Sequence, residues 1–199
     1  SDMGLCGGYN LNVDHLVLEQ MWRSDLIYLI GKKGVSFFTN EKKTLYKTKL
    51  GVKIDFSFSD AQIIASEALA LYNKQEVRSI KLAYTQFVNS LKQVPTVLQL
   101  LPIVKKKRTL SLQSLATEFE PNPEAVLTTA LPFYLNSIIL GAVVESKLSE
   151  QAARRIAMDG ATRNADELVR DLTKTYNRQR QQKITQEIIE IINGINTHR

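Results

Sequence analysis

The sequence predicts an α/β fold with a helical extension: a Rossmann-like α/β domain over residues 1–121, then one very long helix over residues 122–199. Three observations carry this reading. In the first part, short apolar runs bounded by Gly and Pro alternate with helical stretches, the pattern of an α/β layer with a parallel or mixed sheet. After Pro132 the chain has no proline, and beyond Asn122 only three glycines, Gly141, Gly160 and Gly194. Over that same stretch the apolar residues recur at steps of three and four.

The elements follow in order. Ser1 to Asn10, SDMGLCGGYN, is a glycine turn leading into a helix from about Leu11 to Arg23. Gly4, Gly7 and Gly8 permit backbone angles that other residues avoid. The turn has neither the dinucleotide spacing G-x-G-x-x-G nor the Lys and Ser/Thr of a P-loop, so it reads as a tight strand-to-helix connection whose strand lies ahead of Ser1. Asp25 to Ile30, DLIYLI, is a buried strand closed by Gly31 and Gly34. Val35 to Thr39 is a second strand or the turn into a loop. Glu41 to Lys53 is lysine-rich and lacks periodicity. Ser59 and Gln62 form a capping box for a helix over Asp60–Lys74, with Ile63, Ile64, Ala68, Leu71 and Tyr72 inward. Lys81–Ser90 and Thr96–Pro102 are strands, the second bordered by Pro95 and Pro102. Lys105–Arg108 is a basic loop, and Thr109–Pro121 an irregular bridge.

The long helix starts with Asn122 as cap and Pro123 at the first helical position, where a missing N–H costs nothing. If continuous to Ile195 it is about 110 Å long. Its seam runs through Leu148, Ala152, Ile156, Ala161, Ala165, Leu168, Leu172 and Tyr176, then Ile184, Ile188, Ile191, Ile192 and Ile195. A narrow stripe with charged flanks is the pattern of coiled-coil packing. Two shorter helices folded back at Gly160 are the alternative, but that position lacks the polar residues of a hairpin. Nothing else in the sequence is long enough to cover this seam.

Composition excludes several classes. Of the net charge of +6, the first 121 residues carry +5 and the remainder +1, so the helix is not a uniformly basic rod. Between positions 170 and 183, Arg170, Lys174, Arg178, Arg180 and Lys183 are met only by Asp171; the run is either a solvated face or a site for an acidic protein surface. One cysteine, Cys6, excludes an internal disulfide. No unbroken run of eighteen apolar residues occurs, and no signal segment opens the sequence. His15 and His198 stand far apart. No metal spacing, G-x-S-x-G or H-E-x-x-H is present. Glu118 and Glu120 are close in sequence but need a pocket to act as acid and base. Neither a catalytic residue nor a cofactor is expected.

Three stretches go together: SDMGLCGGYN at the start, SEQAARRIAMDGATRNADEL from Ser149, and YNRQRQQKITQEIIEIINGI from Tyr176. With QLLP at Gln99–Pro102, they resemble the gamma subunit of F-type ATP synthases over essentially the whole sequence. The resemblance implies a central rotor shaft whose C-terminal helix winds antiparallel against an N-terminal helix missing here. It implies partners: the alpha and beta subunits around the tip, and the epsilon subunit and the c-subunit ring at the foot. It implies a membrane-associated CF(1)-type complex for ATP synthesis and hydrogen ion transport, with the chemistry on other subunits. Arg180, Gln181, Thr185 and Glu187 match positions that meet catch loops of the hexamer. Arg170, Lys174, Arg178 and Lys183 form the basic band facing acidic beta loops. Glu120, in EFEPNP, matches an acidic residue facing the c ring.

The sequence departs from the family pattern in places. Met3 stands where the family has Arg, and the regulatory insert of chloroplast gamma subunits is absent between Ile103 and Leu115. The absent N-terminal helix and first strand imply a fragment of a longer polypeptide, or a second chain supplying them. The alternatives are a gamma-like rotor of a specialised F-type ATPase not coupled to a proton ring, a small-molecule-binding α/β protein with a helical oligomerisation arm, and nucleic-acid binding through Lys105–Arg108.

Overall fold

A computed structural model of the chain describes residues 1–22, 24–51, 56–103, 120 and 122–197, with side chains to residue 193. In chain order the elements are α1 (Tyr9–Gln20), β1 (Ile27–Ile30), α2 (Lys33–Asn40), β2 (Leu45–Lys49), α3 (Phe58–Asn73), β3 (Ile80–Asn89), β4 (Lys92–Leu101) and α4 (Pro123–Thr197). The chain divides into two compact units, Ser1–Ile156 and Ala157–Arg199.

The α/β class holds, but among the described residues the strands form two separate pairs. β1 and β2 are parallel, and β3 and β4 make an antiparallel hairpin. The expected strand at Val35–Thr39 is instead the middle of α2. A parallel pair needs a crossover between its strands, and helix here puts Gly34 and Phe38, one turn apart, both inward. That burial outweighs the strand preference of Val and Phe. β2 lies inside the lysine-rich segment that gave no periodic signal. It is one strand of a two-stranded sheet, and Tyr46, Lys47 and Thr48 are all exposed, so it needs no apolar face.

α1 begins at Tyr9 and ends at Gln20, earlier at both ends than expected. The cap of α3 is also displaced. Ser57, not Ser59, accepts from the Asp60 amide, and the Asp60 carboxylate accepts from the Ser57 amide, closing the box two residues early. Ile64 is buried as expected, with Ala61 and Ala65 beside it, whereas Ile63 is half exposed. β4 starts at Lys92, so Pro95 lies inside it rather than at its border. Pro95 stands opposite Thr85, whose amide points away from β4 to the Ser146 hydroxyl. The pair is therefore of the non-hydrogen-bonded kind, and the missing proline N–H breaks no ladder bond.

α4 is one helix through Gly160, as expected. Asn122 caps it: its side chain accepts from the Ala125 amide at 2.8 Å. By length and composition this helix includes an eighteen-residue window apolar enough to cross a membrane, of mean hydropathy 1.7. The window has polar interruptions, so it is not an unbroken apolar run. Leu135 and Ile139 of the same helix are core residues of the first unit, packed with Ala61, Ile64, Ala65, Leu100 and Leu101. Lys105–Arg108, Glu118 and most of the bridge 109–121 lie outside the described residues.

Leu135 is 2% exposed and Leu127, two turns away on the same helix, 65% exposed. Leu135→Ala should cost about 2–5 kcal/mol of unfolding free energy, and Leu127→Ala no more than about 0.5 kcal/mol. Urea denaturation of the two variants followed by circular dichroism checks the contrast.

Candidate interaction surfaces

Within the first unit, α4 has two unlike faces. Leu135, Ile139, Ala142 and Ser149 are buried, whereas Leu127, Phe133, Tyr134, Val144 and Leu148 are exposed. The second unit consists of α4 from Ala157 onward, and there Leu168, Val169, Leu172, Tyr176, Ile184, Ile188, Ile189, Ile191 and Ile192 are each about half exposed or more. The expected seam is thus present and uncovered at every described large residue. The isolated apolar side chain is ordinary on a protein surface; a repeated stripe of them marks a place for a partner.

The sequence-predicted contact residues all sit on the exposed part of α4. At about 100° per residue, Arg170, Lys174, Arg178, Gln181 and Thr185 fall within roughly 80° of arc, whereas Arg180, Lys183 and Glu187 fall on the other side of the helix. The helix therefore brings together three of the basic band with two of the tip set, and separates Arg180, Lys183 and Glu187 from them. Thr185 turns its hydroxyl back to the Gln181 carbonyl at 2.9 Å. Lys174 lies 3.5 Å from Asp171, with both side chains more than 70% exposed, so the pair holds little energy. Glu120 is exposed in the bend before α4.

A second feature was not legible from spacing. Polar side chains of α4 satisfy the outer edge of β3. Ser146 Oγ accepts from the Thr85 amide at 3.1 Å, Glu145 Oε1 accepts from the Phe87 amide at 3.1 Å, and Ser149 Oγ donates to the Thr85 carbonyl at 3.2 Å. One turn further on, the Arg154 guanidinium donates to the Gly4 carbonyl at 3.2 Å and to Glu150 at 2.6 Å. The Tyr9 hydroxyl donates to the Ser146 carbonyl at 2.8 Å, and burial pushes this phenol above its ordinary range.

A cavity of about 800 Å³ lies between β1 and β3. Tyr28, Leu29 and Ile30 of β1 line it, as do Leu82, Ala83 and Tyr84 of β3, and Ser1. Asp14 of α1 also lines it. This carboxyl is 8% exposed, and among the described residues no donor reaches it. Its pKa is raised to about 6: burial pushes it up, and the Ser1 amine and His15 offset part of that rise. Among the described residues no three His, Cys, Asp or Glu side chains gather as a metal site.

An α/β domain carrying a long helix with an uncovered apolar seam defines a subunit built to assemble with others. Comparison with known proteins gives the particular assembly. The family model described as ATP synthase matches residues 1–197. The ATP synthase gamma chain of Mesoplasma florum is 45% identical over 196 residues, covering 98% of this chain and 69% of that one. The gamma chain of Staphylococcus saprophyticus is 38% identical over 201 residues, with 98% and 70% covered. Among solved structures, a chain of the Euglena gracilis mitochondrial ATP synthase, from an assembly of OSCP, F1 and c-ring, superimposes with a TM-score of 0.79 at 25% identity, covering 99% of this chain and 70% of that one. The chain belongs to the ATP synthase gamma-chain family.

Asp14 supplies a pH test of the domain. Its folded pKa lies above its ordinary 3.8, so the folded state holds its proton more tightly than the unfolded one. Stability therefore falls as pH rises from near 4 through 6, and the penalty is complete above that range. Asp14→Asn should raise unfolding free energy by roughly 1–2 kcal/mol at pH 7, discounting for residual solvent, and change it little at pH 3.5. Urea titrations at the two pH values measure the difference.

Proposed function

We propose that the chain works as the central rotor of an F-type ATP synthase, with residues 122–199 as shaft and residues 1–121 as foot. Rotation of this asymmetric shaft couples ion flow through the c-subunit ring to ATP synthesis or hydrolysis in the alpha/beta hexamer. The observation that carries the reading is the uncovered apolar seam of α4 in a chain of the gamma family. A helix that long gains little stability alone, and its seam needs a second helix. The residues for catalysis belong to the hexamer, and this chain's part is mechanical.

Under this reading Arg180, Gln181, Thr185 and Glu187 meet the catch loops of the hexamer. Arg170, Lys174, Arg178 and Lys183 face acidic loops of the beta subunits, where opposite charge guides contact. Glu120 faces the c ring, and the epsilon subunit lies against the foot. The complex sits on an energy-transducing membrane, with this subunit on the side of the catalytic head. The cavity between β1 and β3 suits an extended strand running beside β1 toward Ser1, which would join the two strand pairs into one sheet. Such a strand would supply the partners that edge amides and carbonyls require.

Purification of the tagged chain from its native cells, with mass spectrometry of what accompanies it, tests the assignment. Alpha, beta, epsilon and c subunits are expected together; their joint absence would sink the rotor reading. Alpha and beta subunits without c subunits would favour a rotor uncoupled from an ion ring. The basic band has its own test. Arg178→Glu should slow ATP hydrolysis by the assembled complex by about threefold or more, while the chain's stability stays within about 0.5 kcal/mol because the side chain is exposed.

A further inference from the structure

We propose that Arg154, together with the α4 side chains bound to the edge of β3, is the joint through which torque passes between the helix and the α/β domain. The inference rests on the rotor reading and deepens it by naming the residues that prevent slip. Two kinds of contact hold α4 to the domain. The apolar one, around Leu135 and Ile139, is non-directional and resists separation more than it resists sliding or rotation. The polar one is directional. Glu145, Ser146 and Ser149 each bind a fixed backbone group of β3, at Thr85 or Phe87, and together they fix both the height and the rotation of α4 against that strand.

Arg154 closes the joint from the other side. Its Nε donates to the Gly4 carbonyl, Nη2 to Glu150 and Nη1 to Gln151, so every guanidinium nitrogen is engaged. The side chains of Arg154 and Glu150 are only 17% and 12% exposed, which removes most solvent screening. The planar fork has one orientation that meets all three partners. Gly4 belongs to the turn between Ser1 and α1, and that turn is itself tied down: the Ser1 carbonyl accepts from the Lys33 amide, and the Asp2 carboxylate accepts from the Lys32 amide. A twist applied to α4 is thus delivered through Arg154 to the start of α2, and through the serines to the β3–β4 hairpin. Arg154 is a positioning residue; no reacting group touches it.

The test uses the assembled synthase in inverted membrane vesicles. Ions translocated per ATP hydrolysed are measured for the unsubstituted rotor, Arg154→Ala and Arg154→Lys, with proton- and sodium-sensitive dyes. Arg154→Ala should lower the ratio at least threefold, and Arg154→Lys, which keeps the charge beside Glu150, should restore it above half. An unchanged ratio in Arg154→Ala overturns the joint. Failure of both variants to enter the complex also overturns it, because the residue would then be a requirement for folding or assembly and not for transmission. Failure of the unsubstituted chain to assemble would instead bring down the rotor reading itself.

Discussion

The fold turns on the outer edge of β3. A strand that pairs on one side leaves alternate amides and carbonyls on the other, and when buried these must find partners. At Thr85 and Phe87 the partners are side chains of a helix, not another strand. This fixes where α4 crosses the domain, and so which of its residues enter the core. Leu135 and Ile139 lie three and two turns before Ser146 on the same side, and they meet Ala61, Ile64, Leu100 and Leu101 because the polar contacts hold the helix in that register. The same pairing leaves Pro95 harmless, since the proline stands opposite a residue whose amide has already turned away.

The parts of the fold that were legible in the sequence are those governed by burial with a period or by a cap. β1 and β3 showed as short apolar or alternating runs, and α4 showed through its Asn122–Pro123 start and the absence of breakers. The parts that were not legible are those where tertiary contact overrides local preference. Val35–Thr39, which reads as strand or turn, is helical, because burial of Gly34 and Phe38 on one face decides the matter. β2 carries no pattern because neither of its faces is a core face. The cap of α3 was misplaced by two residues because Ser57 and Ser59 are equally able to cap, and only Asp60 at the third helical position distinguishes them.

The surfaces divide in the same way. A seam is a periodic feature, so Leu168, Leu172, Tyr176 and the isoleucines beyond were readable. A joint made of single side chains on backbone atoms is not periodic. Glu145, Ser146, Ser149 and Arg154 reach Thr85, Phe87 and Gly4 across 58 to 150 positions of sequence. No local pattern encodes such separations. Ser149 and Arg154 stood within a stretch that identified the family, but that resemblance named no partner for either. Asp14 is similar: a lone acidic residue in a helix reads as exposed until its helix is packed, and here the packing leaves it 8% exposed.

The distribution of charge around α4 bears on what kind of partner it meets. A helix docking on one flat surface keeps its contact residues on one flank. Relative to the local line of the seam, Arg170, Lys174 and Arg178 lie about opposite, Gln181 and Thr185 on one flank, Lys183 and Glu187 on the other, and Arg180 in the seam's own row between Tyr176 and Ile184. The row of fours from Leu172 through Ile192 advances about 40° with each step, because four residues exceed one turn of 3.6, and the steps of three to Ile191 and Ile195 turn the seam back by about 60°. A straight partner would lose such a seam within a few turns; a partner that winds with it would not. A helix with a winding apolar seam and polar contact residues on both flanks fits a shaft enclosed by its surroundings. On the proposed role, the second helix takes the seam, and the two polar flanks are left to meet different subunits as the shaft turns.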